Sequence, residues 1–207
     1  MDSLISSYQR RFKKYGGHSR ALKWEHAGAK HQRMRHLTGE LNFTGKTVLD
    51  VGCGFGDVTW IIKKRAKNFT YTGVDIVPEF IEVAKKRYPQ HKFLIGDYFA
   101  KPLDENFDIV LCSGALNSNV PDNMDWRKRA ISAMWEHTKR ALAFNMSGGH
   151  SQPENREGSN TWYAVSFEIL KYCLSLTRKV IFLQHYHATD FTIILFRKTK
   201  DTLARKK

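Results

Sequence analysis

The sequence of 207 residues has few cysteines, few prolines and no long apolar run. Its three cysteines, an odd number without C-x-x-C spacing, exclude a disulfide framework and predict reduced, packed thiols. No stretch of eighteen apolar residues occurs, and the chain begins Met1-Asp2-Ser3 without an apolar signal region. We therefore expect a soluble, cytoplasmic protein without a membrane partner. The length allows one sizeable core and hence one domain.

Acidic residues are also scarce, because 20 Asp and Glu stand against 34 Lys and Arg, a formal net charge of +14. Residues 1–40 carry nine basic and three acidic residues, and residues 197–207 carry six and one. The two ends therefore supply +11, and the 156 residues between them supply only +3. Such ends fit a solvated surface, a small anionic substrate or RNA, and no RNA-binding motif is present.

The most informative stretch is a glycine-rich turn after the first apolar run. Residues 48–51 are typical of a strand buried on both faces, and glycines at 52, 54 and 56 let backbone N–H groups approach a ligand. The spacing differs from the G-x-G-x-x-G of dinucleotide sites, and Asp57 at the start of the next helix disfavours a pyrophosphate. The turn predicts a nucleotide-like ligand without phosphate, or else an ordinary turn in another α/β protein.

Further motifs follow later apolar runs. Asp75 lies about twenty residues beyond the turn, where such folds place an acid on ribose hydroxyls, although it would also suit a helix N-cap ahead of Pro78. Gly96-Asp97-Tyr98 follows residues 92–95, and Ser113-Gly114 follows residues 107–112. Taken alone, Gly-Asp is an ordinary turn. In this order after D-x-G-x-G-x-G, the motifs resemble those of the class I S-adenosylmethionine-dependent methyltransferases.

The resemblance implies roles for individual residues in binding S-adenosylmethionine. Asp75 would bind the ribose, Ile76 would pack against adenine, and Asp97 would face the adenine amino group. The methionine moiety and the methyl acceptor would meet after residues 107–112. The predicted cofactor residues are Asp50, Gly52, Cys53, Gly54, Gly56, Asp75, Ile76, Asp97, Tyr98, Ser113, Gly114 and Arg33. The chain lacks the D/N-P-P-Y/F signature of exocyclic-amine DNA methyltransferases, which disfavours base methylation by that mechanism.

Strand and helix patterns alternate along the chain, which predicts an α/β fold with helices on both faces of a mostly parallel sheet. Helices are expected at 57–64, 78–88, 122–137 and 163–175, and a fifth strand at 140–146. The last two strands, 180–185 and 191–196, are joined by a segment too short for a parallel crossover, so one strand is antiparallel. We expect one doubly wound, seven-stranded sheet within residues 41–197.

The first forty residues precede the sheet and are predicted to form a basic helical cap over the ligand. We expect one helix around residues 4–14 and a second from Ser19 to residue 37, separated by Gly16 and Gly17. Arg33 in the second helix is either an ordinary surface arginine or the residue that neutralises the carboxylate of the cofactor, and we include it in the predicted cofactor site. Residues 147–160 are predicted to form a polar lid or substrate loop, and residues 198–207 a basic tail.

Methyl transfer requires the donor and the acceptor to be held in line, and an alcohol acceptor also requires a base. His185 and His187, with Asp190 close behind, are the candidate bases, although one packed and one solvated histidine would explain the pair equally well. Two histidines without a third ligand predict no metal site. Asn117 and Asn145 are expected just beyond strand ends, where either could hold the acceptor, and Asn117 completes the predicted catalytic set.

A closer resemblance, to a group of small bacterial and phage class I methyltransferases, covers almost the whole chain. It is carried by Tyr8, Arg11, Phe12, Tyr15, Gly16, Leu22, Trp24, Gln32, Arg33, Ser113, Gly114, Asn117, His185, Asp190, Phe191 and Thr192. It implies a hydroxyl of a sugar or small metabolite as the acceptor. The basic ends of the chain are a departure from the pattern of that group. We expect such a methyltransferase, with RNA methylation or a catalytically idle subunit of a nucleoprotein assembly as the alternatives.

Overall fold

A computed structural model describes residues 2–24, 27–150 and 160–197, which form one sheet of eight strands covered by helices. The strands are β1 Thr47–Val51, β2 Thr70–Asp75, β3 Lys92–Ile95, β4 Phe107–Ser113, β5 Thr138–Gly149, β6 Ala164–Val165, β7 Val180–Leu183 and β8 Asp190–Phe196. The helices are α1 Asp2–Tyr15, α2 Ala27–Thr38, α3 Val58–Lys63, α4 Pro78–Arg87, α5 Asn123–Glu136 and α6 Ser166–Leu176. Short 3-10 turns occupy Ser19–Leu22 and Ala115–Asn117.

The strand order is β3-β2-β1-β4-β5-β8-β7, and β6 pairs only with the end of β5. Strands β1 to β5 are parallel to one another, whereas β8 is antiparallel to both β5 and β7. This confirms the predicted mostly parallel sheet with one antiparallel strand near the carboxyl terminus. Because the carboxyl ends of parallel strands meet at one edge, the segments after β1, β2, β3 and β4 lie side by side.

The core lies on both faces of the sheet. Leu49 and Val51 of β1 pack in a cluster with apolar residues of α5 and α6, whereas Val48 packs with residues of α3 and α4. Neighbouring positions of one strand therefore face opposite layers, which explains why β1 and β4 read as continuous apolar runs rather than alternating ones. The three cysteines are free and buried, as expected.

The cap differs from its prediction, because no single helix runs from Ser19 to residue 37. Ser19–Leu22 is a 3-10 turn that ends at Lys23, whose φ of +62° is left-handed and stops a right-handed helix. His18, rather than Ser19, caps this turn, since its side chain accepts a hydrogen bond from the Arg20 N–H. The longer helix α2 begins at Ala27.

Strand β5 is longer than predicted, because its polar end has pairing partners. Ser147 pairs with Asp190 of β8, and Gly148 and Gly149 pair with β6. Asn145 therefore lies within a strand rather than beyond it, and helix α6 begins at Ser166. Of the predicted loop at 147–160, residues 151–159 lie outside the described residues, as does the predicted tail. In the part of the chain that is described, no helix is long and apolar enough to cross a membrane.

Candidate functional site

A cavity of about 350 Å³ opens at the carboxyl ends of strands β1 to β5. Its size is that of a small-molecule site. All but one of the residues predicted to bind the cofactor line it, and Gly56 is the exception. Its roof comes from the cap, through Tyr8, Leu22, Lys23 and Trp24. The structure thus brings together motifs that are far apart in the sequence.

The three glycines of the turn serve three different contacts. A Cβ at Gly52 would lie 2.5 Å from Ala115 Cβ, in the segment after β4. One at Gly54 would lie 3.1 Å from the methyl groups of Leu22, in the roof. One at Gly56 would lie 2.9 Å from the Phe93 ring in the core, so Gly56 serves packing. All three have positive φ, between +54° and +73°, which favours glycine.

Two buried carboxylates face the cavity from β1 and β2. Asp75 is fixed by both oxygens, since Oδ2 accepts from Gly54 N at 2.8 Å and Oδ1 from Val77 N at 2.9 Å. Asp50 accepts from the Tyr71 hydroxyl at 2.6 Å. Burial raises the pKa of Asp75 to about 6 and that of Asp50 to about 7. Both acids are therefore held in positions that disfavour their charge, as is typical of functional sites.

The segment after β3 contributes one carboxylate and one ring. Asp97 Oδ1 accepts from Phe99 N at 3.0 Å and Ala100 N at 3.2 Å. Tyr98 directs its hydroxyl to α5 and the residue after it, at 3.4 Å from Ala133 O and 3.2 Å from His137 Nδ1. Tyr98 therefore offers the cavity its ring and not its hydroxyl.

Two asparagine side chains hold the end of β4 and the segment that follows it. Ser113 Oγ donates to Asn145 Oδ1 at 3.2 Å, and Asn145 is fully buried. Asn117 lines the cavity, and its Oδ1 accepts from Ser147 N at 2.8 Å. Asn117 thus joins this segment to β5, and Gly114 turns the chain with a φ of +80°. Any role of Asn117 in holding an acceptor stays a prediction.

Arg127 was not among the residues predicted from the sequence, and it supports the segment after β4. Its buried guanidinium donates from Nε to Leu116 O at 3.0 Å and from Nη1 to Asn123 Oδ1 at 2.7 Å, and Nη2 bonds Ser118 O. It lies 4.5 Å from the Trp162 ring. Burial lowers its pKa to about 10. The only sequence signal was an arginine on the apolar stripe of α5, three residues before Ala130 and seven before Met134.

The cap is bound to α4 and to the start of α3, by aromatic contacts and by one acid. The Tyr8 ring lies edge-on to Phe80 at 5.7 Å, and Lys23 Nζ lies 4.6 Å from the centre of the Tyr8 ring. Asp57, at the start of α3, forms ion pairs with Lys30 of α2 at 2.8 Å and with Arg87 of α4 at 3.3 Å. Asp57 therefore joins the cap to the core.

His185 and His187 do not line the cavity. Strand β7 ends at Leu183, so both histidines lie in the connection to β8, and both are exposed. The buried residue of this connection is Tyr186, which stacks on His36 at 4.2 Å and hydrogen-bonds Thr192 Oγ1 at 2.7 Å. The alternative explanation, with one histidine packed and the other solvated, was therefore wrong, and the role of the two histidines as bases stays a prediction. Within the described ranges, no group of three or more His, Cys, Asp or Glu residues could hold a metal ion.

Arg33 lines the cavity, but it is bound to a residue that the predicted site did not include. Its Nε donates to Asp190 Oδ2 on β8, and its guanidinium carbon lies 4.9 Å from the centre of the Trp24 ring. Asp190 Oδ1 is buried without a hydrogen-bond partner among the described residues. Burial raises the pKa of Asp190 to about 6, although Arg33 and His187 lower it.

Comparison with known proteins agrees with this architecture. Residues 48–141 match the family described as "Methyltransferase domain". Trans-aconitate 2-methyltransferase of Rhodopseudomonas palustris (strain BisB5) is 31% identical over 112 residues, which cover 53% of this chain and 42% of the relative. Demethylmenaquinone methyltransferase of Thermotoga maritima is 34% identical over 80 residues, 38% of this chain and 34% of the relative. The chain thus spans less than half the length of these curated relatives.

Solved structures extend the similarity to nearly the whole chain. The complex of DhpI with SAH (S-adenosylhomocysteine) superposes with a TM-score of 0.66 at 18% identity, covering 95% of both chains. The N-methyltransferase NodS of Bradyrhizobium japonicum WM9, also with S-adenosylhomocysteine, gives 0.62 at 15% identity, covering 93% of this chain and 99% of NodS. At these identities the similarity establishes the fold alone. Residues 48–141 therefore match a methyltransferase domain, and the chain as a whole has the Rossmann-like fold of the class I methyltransferases.

Proposed function

We propose that this chain is an S-adenosylmethionine-dependent methyltransferase acting on a small molecule. The observation that carries this proposal is the cavity itself, which lies at the carboxyl ends of four strands beneath one roof. Gly52 and Asp97 follow β1 and β3, and Asp75 and Ser113 are the last residues of β2 and β4. Both of the solved structures described above hold S-adenosylhomocysteine, which supports the same ligand here.

The residues present fit this cofactor. Asp75 and the glycine turn leave room for a ribose without phosphate, and Asp97 has one oxygen that no described residue hydrogen-bonds. Ile76 and Phe80 offer an apolar wall for adenine. A bound S-adenosylmethionine supplies a methyl group on a sulfonium. The protein's part is then to orient donor and acceptor in line and to exclude water, which the cap supports.

The acceptor is proposed to be small, because the cavity must hold it together with the cofactor under the same roof. The part of the lining that lies beyond β4 combines Trp126 and Val120 with Asn117 and Ser147. Among the described lining residues there is no histidine to serve a hydroxyl acceptor as base. The predicted hydroxyl therefore requires a base from elsewhere, and the roofed cavity favours a small molecule over RNA.

Binding of S-adenosylhomocysteine should depend on pH, because ribose hydroxyls donate to the charged form of Asp75. Its pKa in the ligand-free protein, raised to about 6 by burial, predicts that affinity falls below pH 6, approaching about tenfold per pH unit. Calorimetric titrations between pH 5 and 8 test this. An affinity that is constant over this range would contradict the assignment.

Stability of the ligand-free protein should change in the opposite direction. Asp75 and Asp50 have folded pKa values of about 6 and 7, above the ordinary 3.8, so the folded state binds their protons more tightly. Their contribution to the free energy of unfolding is complete below about pH 4 and is lost as the pH rises through 6 and 7. The rise in Tm caused by the ligand should therefore increase with pH.

A further inference from the structure

We propose that Arg33, positioned by Asp190, binds a carboxylate of the methyl acceptor, so that the acceptor is a small organic acid. This inference rests on the proposed function and names its substrate class. It also gives Arg33 a role different from the predicted contact with the cofactor's carboxylate.

The hydrogen-bonding groups of Arg33 are only partly used. Its side chain is 19% exposed and lines the cavity, and its Nε donates to Asp190. No described residue hydrogen-bonds its two Nη groups, so its planar fork keeps donors for a ligand. A guanidinium fork matches the two oxygens of a carboxylate, and such charge-assisted pairs are strong where water is excluded.

The location of Arg33 favours the acceptor over the cofactor. Its backbone oxygen accepts from Asn145 Nδ2 of β5 at 3.5 Å, and its side chain bonds Asp190 of β8. In the order β1-β4-β5-β8, these strands lie two and three positions from β1, or roughly 10 and 14 Å at the spacing of neighbouring strands. The glycine turn, which would hold the cofactor, follows β1. Arg33 therefore lies beyond the segment after β4, where the acceptor is expected.

A second cation lies closer to the glycine turn. Leu22 covers Gly54, and the neighbouring Lys23 lines the cavity beside the ring of Tyr8. The carboxylate of the methionine moiety thus has a cation of its own near the turn. Each of the two cap cations can then meet a different anionic group.

Asp190 acts through Arg33 as a positioning residue. Its side chain is fully buried and it does not line the cavity, so it does not touch a ligand there. With Trp24 against the guanidinium, it holds the side chain of Arg33 in one orientation. This preorganisation lowers the entropic cost of binding an anion.

The test uses the full chain saturated with S-adenosylhomocysteine, titrated with acetate, succinate and benzoate and with the matching neutral amides. Binding is followed by calorimetry and by tryptophan fluorescence, since Trp24 contacts Arg33. We expect at least one acid to bind at least tenfold more tightly than its amide. Arg33→Gln should weaken acid binding by about 10- to 100-fold, and Arg33→Lys by less, because lysine keeps the charge and loses the fork.

Controls separate the inference from the proposed function. Arg35→Gln removes an exposed arginine of the same helix and should change neither ligand. Asp190→Ala should weaken acid binding while S-adenosylhomocysteine binding is retained, with the unfolding midpoint measured in parallel. Equal binding of acids and amides, binding of no acid, or acid binding unchanged in Arg33→Gln would overturn the inference. So would a loss of S-adenosylhomocysteine binding in Arg33→Gln, which would assign Arg33 to the cofactor and leave the proposed function standing.

Discussion

Replacing Asp75 by asparagine is expected to weaken S-adenosylhomocysteine binding by about 100-fold. The carboxylate is fixed by Gly54 N and Val77 N, so it is preorganised to accept the ribose hydroxyls without further ordering. Hydrogen bonds to a charged group contribute about 1.5–3 kcal/mol each, and losing the charge from a pair of them costs about 3 kcal/mol. Calorimetry at pH 7.5, where Asp75 is charged, measures this loss.

Stability should respond differently from affinity. Because burial disfavours the Asp75 carboxylate, the amide removes an unfavourable charge while it loses one backbone hydrogen bond, so the free energy of unfolding should change by no more than about 1 kcal/mol. Asp108→Asn is the matched control, because Asp108 lies near the amino end of β4, at the opposite end of the strands from the cavity. Asp108 accepts from Thr47 N at 3.0 Å and Arg140 Nε at 3.0 Å. The Asp108 variant should lose stability and keep its affinity for S-adenosylhomocysteine. A loss of affinity in Asp108→Asn but not in Asp75→Asn would contradict the assignment of Asp75 to the cofactor site.

Gly52→Ala should also reduce cofactor binding by roughly 100-fold, for a steric reason. The new Cβ would lie 2.5 Å from Ala115 Cβ, so the glycine turn and the segment after β4 must separate by about 1 Å. Those two segments border the part of the cavity where methyl donor and acceptor would meet. A misplacement of about 1 Å can lower the rate of a reaction that requires alignment by about 100-fold. We expect a loss of similar size in the affinity for the cofactor, because the cofactor would contact the displaced turn.

Gly45→Ala separates backbone strain from this collision. Gly45 has a φ of +68°, close to the +72° of Gly52, and an added Cβ would have no atom within 4 Å. Both variants should lose about 1 kcal/mol or more of stability through the left-handed backbone. Only Gly52→Ala should lose affinity. Equal affinities of the two variants for S-adenosylhomocysteine would show that the close contact does not matter for binding.

The sheet and the cofactor side of the cavity could be predicted from the sequence because their signals are local. Residues 48–51 and 107–112 are mostly apolar, and each motif lies at the end of its own strand or directly after it. Parallel pairing then brings those motifs to one edge whatever the details of packing. For this reason the positions of Asp75, Asp97 and Ser113 around one cavity follow from their order alone.

The remaining features depend on contacts between distant residues. The left-handed Lys23, which ends the 3-10 turn, has no glycine or proline signal at its own position. Ser147–Gly149 looks like a loop until β8 and β6 supply its partners. Asp190 meets Arg33 across 157 positions of sequence, so neither residue predicts the other. The acceptor side of the cavity is built largely from such pairs and was therefore the least predictable part.

Methyl transfer by this protein can be measured with S-adenosylmethionine that carries an isotopically labelled methyl group. The purified protein is incubated with this cofactor and with the small-molecule fraction of an extract from its source organism, and the products are read by mass spectrometry. We predict formation of S-adenosylhomocysteine together with a labelled small molecule. Both products should be nearly lost in Asp75→Asn when the cofactor concentration is only a few-fold above the dissociation constant of the native protein. A protein that binds S-adenosylhomocysteine but yields neither product would contradict the account.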